Sequence, residues 1–171
     1  MMLETERLRL RPMVEADSER LFPIMSDAEV MAHWDIPEID DPDLLCRIVQ
    51  SQVATMAEGK AVYWAIETLA EGAFIGVCDL SEIDLWHKRA EIGFILARQV
   101  WGQGYASETV AAVAIQAAAM GLRRLQARTQ LGNRRSEAVL ERLGFKPEGL
   151  LRGHILREGQ RRDCRLFGLL L

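Results

Sequence analysis

Residues 90–109 read AEIGFILARQVWGQGYASET: an apolar run, two glycines spaced two apart, then the start of a long stretch of small residues. The run Ala90 to Leu96 has the length and β-branched content of a strand. The stretch Tyr105 to Met120 is long enough, and free enough of breakers, for a helix. Gly102 and Gly104 stand between the two. Glycine weakens a helix from inside, but it serves in front of one, where the backbone turns tightly or must approach a ligand closely. The first amides of a helix have no intrahelical partners, and the macrodipole places partial positive charge there. A strand, a glycine turn and a helix N-terminus together form an anion site, with the glycines letting phosphate oxygens come close. A tight turn that binds nothing remains the other reading of the loop by itself.

Two common nucleotide loops fail here. A Walker loop needs lysine after its last glycine, and Tyr105 follows Gly104. A dinucleotide fingerprint needs a third glycine, where Ser107 stands, and an acidic residue about 20 positions on, where the sequence reads GLRRLQA.

Outward from the loop, LRLRPM (8–13) alternates as a strand. Asp17 caps a helix to about Met25, and Pro42 opens another that ends near Gly59. VYWAIET and FIGVCDLSEI form a hairpin about Glu71-Gly72. After Gly121 come the strand LQARTQ, a short helix from Ser136 to Leu143 stopped by Gly144, and two strands, one around His154 and one from Arg162 to Leu171. The order β-α-α-β-β-β-α-β-α-β-β gives an α/β (α+β) fold with a hairpin-rich, largely antiparallel sheet, since a doubly wound sheet would alternate throughout. No repeat or flexible linker divides the 171 residues, so one domain, 1–171, is expected.

Composition narrows the function classes. No apolar stretch has the length of a membrane span, and the first residues carry Glu4, Glu6 and three arginines where a signal peptide is apolar. The expectation is a cytoplasmic protein without a membrane partner. Cys46, Cys78 and Cys164 are scattered, and no Cys/His cluster suggests a metal. Charge is uneven: ten acids and one base lie between Glu15 and Asp43, and twelve bases against five acids lie from Leu122 onward. Solvated faces, a phosphorylated ligand on the basic side and a cationic substrate by the acids all fit. Nucleic acid fits poorly, because no aromatic platform accompanies the arginines.

The run Gln99-Val100-Trp101-Gly102-Gln103-Gly104 resembles the Q/R-x-x-G-x-G/A coenzyme A pyrophosphate motif of the GNAT acetyltransferase superfamily. AEIGFIL before it and GYASETV after it are similar to the strand and helix of that family in order and spacing. ARTQLGNRRSEAVLERLGFKPEGLLR (127–152) resembles the N-x-x-S…LGF…EG signature of the RimJ/RimL-like branch, and LETERLRLRPM at the start also fits. The resemblance covers nearly the whole chain, and most weakly Ile36 to Gly59. It implies a mixed, mostly antiparallel sheet of six to seven strands with a central splay, flanked by about four helices. It also implies acetyl transfer from acetyl-CoA to a primary amine in a ternary complex, and it leaves room for a homodimer.

The resemblance assigns residues as well. Main-chain groups of Phe94 and Leu96 would pair with the pantetheine arm, although both side chains also suit a core. Amides of Gly102, Gln103, Gly104, Tyr105 and Ala106 would face the pyrophosphate, with Gln99 alongside. Glu91, a carboxylate on an apolar strand, would be the general base, its pKa raised by burial; a structural hydrogen bond or an exposed strand face is the alternative. Many family members carry a tyrosine proton donor seven residues after the asparagine equivalent to Asn133, but Leu140 stands there. The RimJ/RimL-like alternative is Ser136, which also stands where a helix N-cap belongs. Asn133 is open between turn former and coenzyme contact.

For the acceptor, the resemblance points to His33, Trp34, Asp35 and Glu38, and further to Trp86, His87 and His154. The amine could be a protein N-terminus, a polyamine or an antibiotic. A non-catalytic acetyl-CoA sensor would keep the glycine loop and need neither Glu91 nor Ser136.

Overall fold

The computed structural model describes residues 1–171. Its strands are β1 (Leu3–Glu4), β2 (Leu8–Pro12), β3 (Val62–Thr68), β4 (Phe74–Asp84), β5 (Arg89–Leu96), β6 (Arg124–Gln130), β7 (Lys146–Arg157) and β8 (Gln160–Leu170). Its helices are α1 (Asp17–Met25), α2 (Pro42–Ala57), α3 (Tyr105–Ala119) and α4 (Arg134–Arg142), with 3-10 turns at Val30–His33 and Arg98–Val100.

One eight-stranded sheet runs in the order β1-β2-β3-β4-β5-β6-β8-β7. The sequence accounts for seven of these strands. The eighth, β1, is two residues long and pairs through Leu3 with Leu10 and Glu4 with Arg9, too short to leave a period in the sequence.

The alternation of each strand splits the core in two. Leu8 and Leu10 of β2, Trp64 and Ile66 of β3, Cys78 and Leu80 of β4, and Ala90 and Ile92 of β5 bury one face against Val110, Val113 and Ala117 of α3 and Leu140 of α4. The opposite face holds Val77 and Ile95, packed with Leu21, Ile24, Leu45 and Val49 of α1 and α2 and with Val30 and Met31. The sheet is thus the middle layer, with α1 and α2 over one face and α3 and α4 over the other.

Two helix starts differ from their sequence reading. Asp17 does not cap α1: Ala16 is the N-cap, with no side-chain bond. The buried Asp17 carboxylate instead accepts from Val14 N–H (2.9 Å) and from both Nη atoms of Arg11 (2.7 and 2.8 Å). A charge taken from water needs a charged partner, and Arg11 supplies one. Asn133, not Ser136, caps α4, its side chain accepting from Ser136 N–H at 3.4 Å. Ser136 therefore lies inside the first turn, where its hydroxyl has no capping duty.

The feature that places the site is a fork. β5 and β6 are the sheet's parallel pair, and they pair only from Arg89–Arg124 to Glu91–Gln126. Beyond Glu91 each strand stays with its other neighbour, β5 with β4 as far as Leu96 and β6 with β8 as far as Gln130. The edge of β5 from Ile92 to Leu96 is thereby left without a strand partner, and the glycine loop begins just past its end.

Candidate active site

A cavity of about 600 Å³ fills the fork. Its walls are Phe94, Ile95 and Leu96 of β5, Val100, Trp101, Gly102 and Gly104 of the loop, Tyr105–Ser107 of α3, Gly132–Ser136 at the start of α4, and Val30, His33 and Trp34 opposite. Apolar walls with a few convergent polar groups are what a small-molecule site requires.

Gly102 and Gly104 have φ of 75° and 83°, in the left-handed region that side chains rarely adopt. Gly104 is the N-cap of α3 and has no side chain to bond the first amides, so those amides are free for an anion. Three arginines that the family motif does not name, Arg134, Arg135 and Arg142, line the same cavity. Arg135 lies 3.9 Å above the ring of Trp101, whose indole N–H donates to Leu96 O (3.0 Å). This stack ties α4 to the loop. The basic excess after Leu122 was a signal for these arginines; which of its twelve members face the cavity was not visible in sequence.

The free edge of β5, the loop amides and the arginines fit the three parts of coenzyme A: a pantetheine arm, a pyrophosphate and a further phosphate. Phe94, Leu96, Gly102, Gly104, Tyr105, Ala106, Asn133, Ser136, His33 and Trp34 meet around this one space. Gln99, Gln103, Glu91 and Trp86 do not line it. Gln103 instead donates through Nε2 to Gln99 O (3.1 Å), a clip within the loop. Trp86 is 88% exposed in the turn between β4 and β5, away from the walls.

Glu91 stands on the α1–α2 face of the sheet, but not as an isolated buried carboxylate. Arg128 Nε donates to its two oxygens at 2.9 and 3.1 Å, Arg128 Nη2 lies 2.7 Å from Oε1, and Gln126 Nε2 donates to Oε2 at 3.2 Å. Burial pushes the carboxyl of its neighbour Asp79, on β4, up to about 7, with a Ser81 hydrogen bond opposing the rise and the charge of Glu91 adding to it. Asp79 pairs across the ladder with Gly93, and a Cβ at Gly93 would meet its Oδ1 at 2.7 Å. An acid inside the apolar run FIGVCDL is the sequence signal that marks Asp79. Tyr63, opposite Asp79 on β3, has its hydroxyl pushed up by burial and by that carboxylate.

The acids of the 15–43 segment are less available than their number suggests. Arg98 pairs with Asp27 (3.0 Å) and Glu29 (3.2 Å), Arg128 with Asp35 (3.9 Å), and Arg157 with Glu38 (3.6 Å). Arg157 is 6% exposed and donates to the carbonyls of Met31 and Trp34, the latter at 3.1 Å, while Gln130 Nε2 donates to Trp34 O at 2.8 Å. The turn carrying His33 and Trp34 is thus fixed by β6 and β7. His33 has its pKa lowered by burial and then by Arg162, Arg157 and Arg135, so it faces the cavity as neutral imidazole near pH 7. His154 lies with Nε2 2.9 Å from Arg128 Nη1 and joins the same network.

Comparison with known proteins agrees with this geometry. The acetyltransferase (GNAT) domain family matches residues 7–146. An uncharacterized N-acetyltransferase, p20, of Bacillus licheniformis is 34% identical over 169 residues, covering 98% of this chain and 95% of that protein. The ribosomal protein uS5-alanine N-acetyltransferase of Escherichia coli is 27% identical over 174 residues, 98% of this chain and 89% of that one. Among solved structures, the ribosomal L7/L12 alpha-N-protein acetyltransferase RimL in complex with coenzyme A superposes with a TM-score of 0.91 at 23% identity, covering 100% of this chain and 98% of that one. The chain belongs to the GNAT acetyltransferase family. It is an N-acetyltransferase that uses acetyl-CoA as the acetyl donor for an amine.

Proposed function

We propose that the acceptor is the α-amine of a protein N-terminus. The observation that carries this reading is the pairing of the acids beside the cavity. Asp27, Glu29, Asp35 and Glu38 each face an arginine, so a polyamine with several charges meets few free carboxylates. A chain end brings one charge and an extended backbone, and the apolar rim formed by Val30 and Trp34 suits its first side chain. The uS5-alanine acetyltransferase, similar over 98% of this chain, acts on such an amine by its name. An enzyme working in the cytoplasm is consistent with three unpaired cysteines, Cys46, Cys78 and Cys164.

In this reading the chain supplies three things. The loop amides and the edge of β5 hold the thioester at the fork. The ammonium of the acceptor loses its proton through water to the Asp79 and Glu91 pair, with Glu91 oriented by its hydrogen bonds from Arg128 and Asp79 poised near neutrality. The free amine then adds to the thioester carbon, the carbon–sulfur bond breaks, and the proton shed by the new amide nitrogen ends on the departing sulfur as the thiol of coenzyme A. Ser136, free of the cap and on the cavity wall, donates a hydrogen bond to the departing thiolate.

The test is coenzyme-dependent thiol release with peptides beginning in Ala or Ser, with the same peptides N-formylated, and with spermidine. Turnover of the free peptides alone supports the proposal. Faster turnover of spermidine transfers the site to polyamines. Acetyl-CoA binding without turnover of any amine leaves a sensor.

A further inference from the structure

The N-terminal motif Thr5-Glu6-Arg7-Leu8 has no part in the site as described, yet it reaches the glycine loop across about a hundred residues. Glu108, in the first turn of α3, is its target. Thr5 Oγ1 donates to Glu108 Oε1 (2.5 Å), Arg7 N–H donates to the same oxygen (2.9 Å), and Arg7 Nε donates to Oε2 (2.7 Å). Arg7 Nη2 lies 2.7 Å from Oε2 as well. These bonds hold Glu108 below the ordinary carboxylate range although burial opposes it. With its side chain so fixed, Arg7 does two further things. Its guanidinium lies 4.4 Å from the centroid of the Tyr105 ring, and Nη1 donates to the carbonyl of Gln103 at 2.9 Å.

That carbonyl belongs to the peptide between Gln103 and Gly104. Gly104 on its C-terminal side, at φ 83° and with no side chain, gives this peptide little resistance to flipping. A trans peptide is planar, so its C=O and N–H point in opposite directions. Arg7 is not among the cavity walls, whereas Gly102, Gly104 and Tyr105 are. Drawing the Gln103 oxygen toward Arg7 therefore turns the Gly104 N–H toward the cavity. A flipped peptide would present a carbonyl oxygen to the pyrophosphate, repelling the charge the loop is built to hold.

We propose that Arg7, itself held by Glu108 and Thr5, is a positioning residue that locks the Gln103–Gly104 peptide with its N–H facing the coenzyme pyrophosphate. Its charge is compensated by Glu108, so it acts through the loop rather than as a phosphate cation.

The experiment compares the wild-type protein with Arg7→Met and Arg7→Lys, using acetyl-CoA and S-acetylpantetheine, which lacks the pyrophosphate, as probes. Calorimetry gives the affinity for acetyl-CoA, and competition gives it for the fragment. In parallel, the Gly104 amide resonance is followed by NMR during an acetyl-CoA titration. Losing one oriented hydrogen bond predicts about a 10-fold weaker Kd for acetyl-CoA in Arg7→Met. The fragment should bind as before, the Gly104 amide shift on binding should shrink, and Arg7→Lys should recover part of the affinity. Equal weakening for both probes, or an unchanged Gly104 shift at unchanged affinity, overturns the proposal. If Arg7→Met does not fold, Glu108→Gln is read the same way: it frees Arg7 from its anchor and should weaken acetyl-CoA but not the fragment.

Discussion

The two walls of the fork are built by opposite means. The wall that suits the coenzyme is local backbone: a strand edge, two left-handed glycines and the open end of α3 lie within Phe94–Ala106. On the acceptor side almost nothing is local. The turn carrying His33 and Trp34 is held by Gln130, Arg157 and Arg162, which bond carbonyls of residues 31–34 from sequence separations of 96 to 130. A wall of backbone amides suits a phosphate, which needs no particular side chain to hold it. A side-chain site can be rewritten one residue at a time and sets which amine is accepted.

The sharpest way to break this contrast is at the carboxylates. Glu91→Gln should lower the rate by roughly 10²- to 10⁴-fold with acetyl-CoA affinity intact, and a normal pH–rate profile in that variant would retire Glu91 as part of the base. The wild-type rate should rise as pH passes through about 7, where Asp79 loses its proton. Asp79→Asn removes that limb of the profile. Stability follows the reverse sign. The folded state holds this proton between the ordinary carboxyl value of about 3.9 and about 7, so stability falls as pH rises across that window, and Asp79→Asn flattens the fall.

The next effect tests the coenzyme wall alone. Gly104→Val forces a β-branched residue to φ 83°, with the new Cβ 3.3 Å from Arg7 Nη2. Strain of about 1–3 kcal/mol corresponds to roughly a 10- to 100-fold loss of acetyl-CoA affinity, read by calorimetry on protein that stays folded. Unchanged affinity would remove the loop from the site.

Arg157→Met is the mirror experiment. It strips the carbonyls of Met31 and Trp34 of a donor, at about 1–3 kcal/mol in thermal or urea unfolding. It should raise KM for the acceptor while leaving acetyl-CoA binding unchanged. Equal effects on both substrates would mean that the two walls are one unit. The smallest effect separates two neighbours on α4. Asn133→Ala loses the cap and about 1 kcal/mol of stability. Ser136→Ala should leave the melting temperature alone and lower turnover.

The correction at Ser136 shows where sequence reading stops. Asn and Ser are both good caps, and they stand three residues apart in Asn133-Arg-Arg-Ser136, so the cap is decided by where the chain leaves β6. Glu91 teaches the same lesson from the other side. Its place on an apolar strand was legible, but its partners Gln126 and Arg128 come from β6, whose register with β5 is set by three residue pairs. Asp79 was readable as an acid in an apolar run, yet its poise near neutrality depends first on how the fold buries it and then on the charge of Glu91 on the neighbouring strand. Trp86 lies outside the cavity because the turn that carries it projects from the sheet.

By itself the sequence determined the order of the elements, seven of the eight strands and the glycine turn in front of α3. Each of these rests on a period or a backbone constraint contained in a few consecutive residues. Only the tertiary structure decided that β5 and β6 part after Glu91, which arginines turn inward, and how the acids from 15 to 43 are spent on ion pairs. Those outcomes are contacts between residues far apart in the chain, and no local pattern encodes which distant partner a charge will meet.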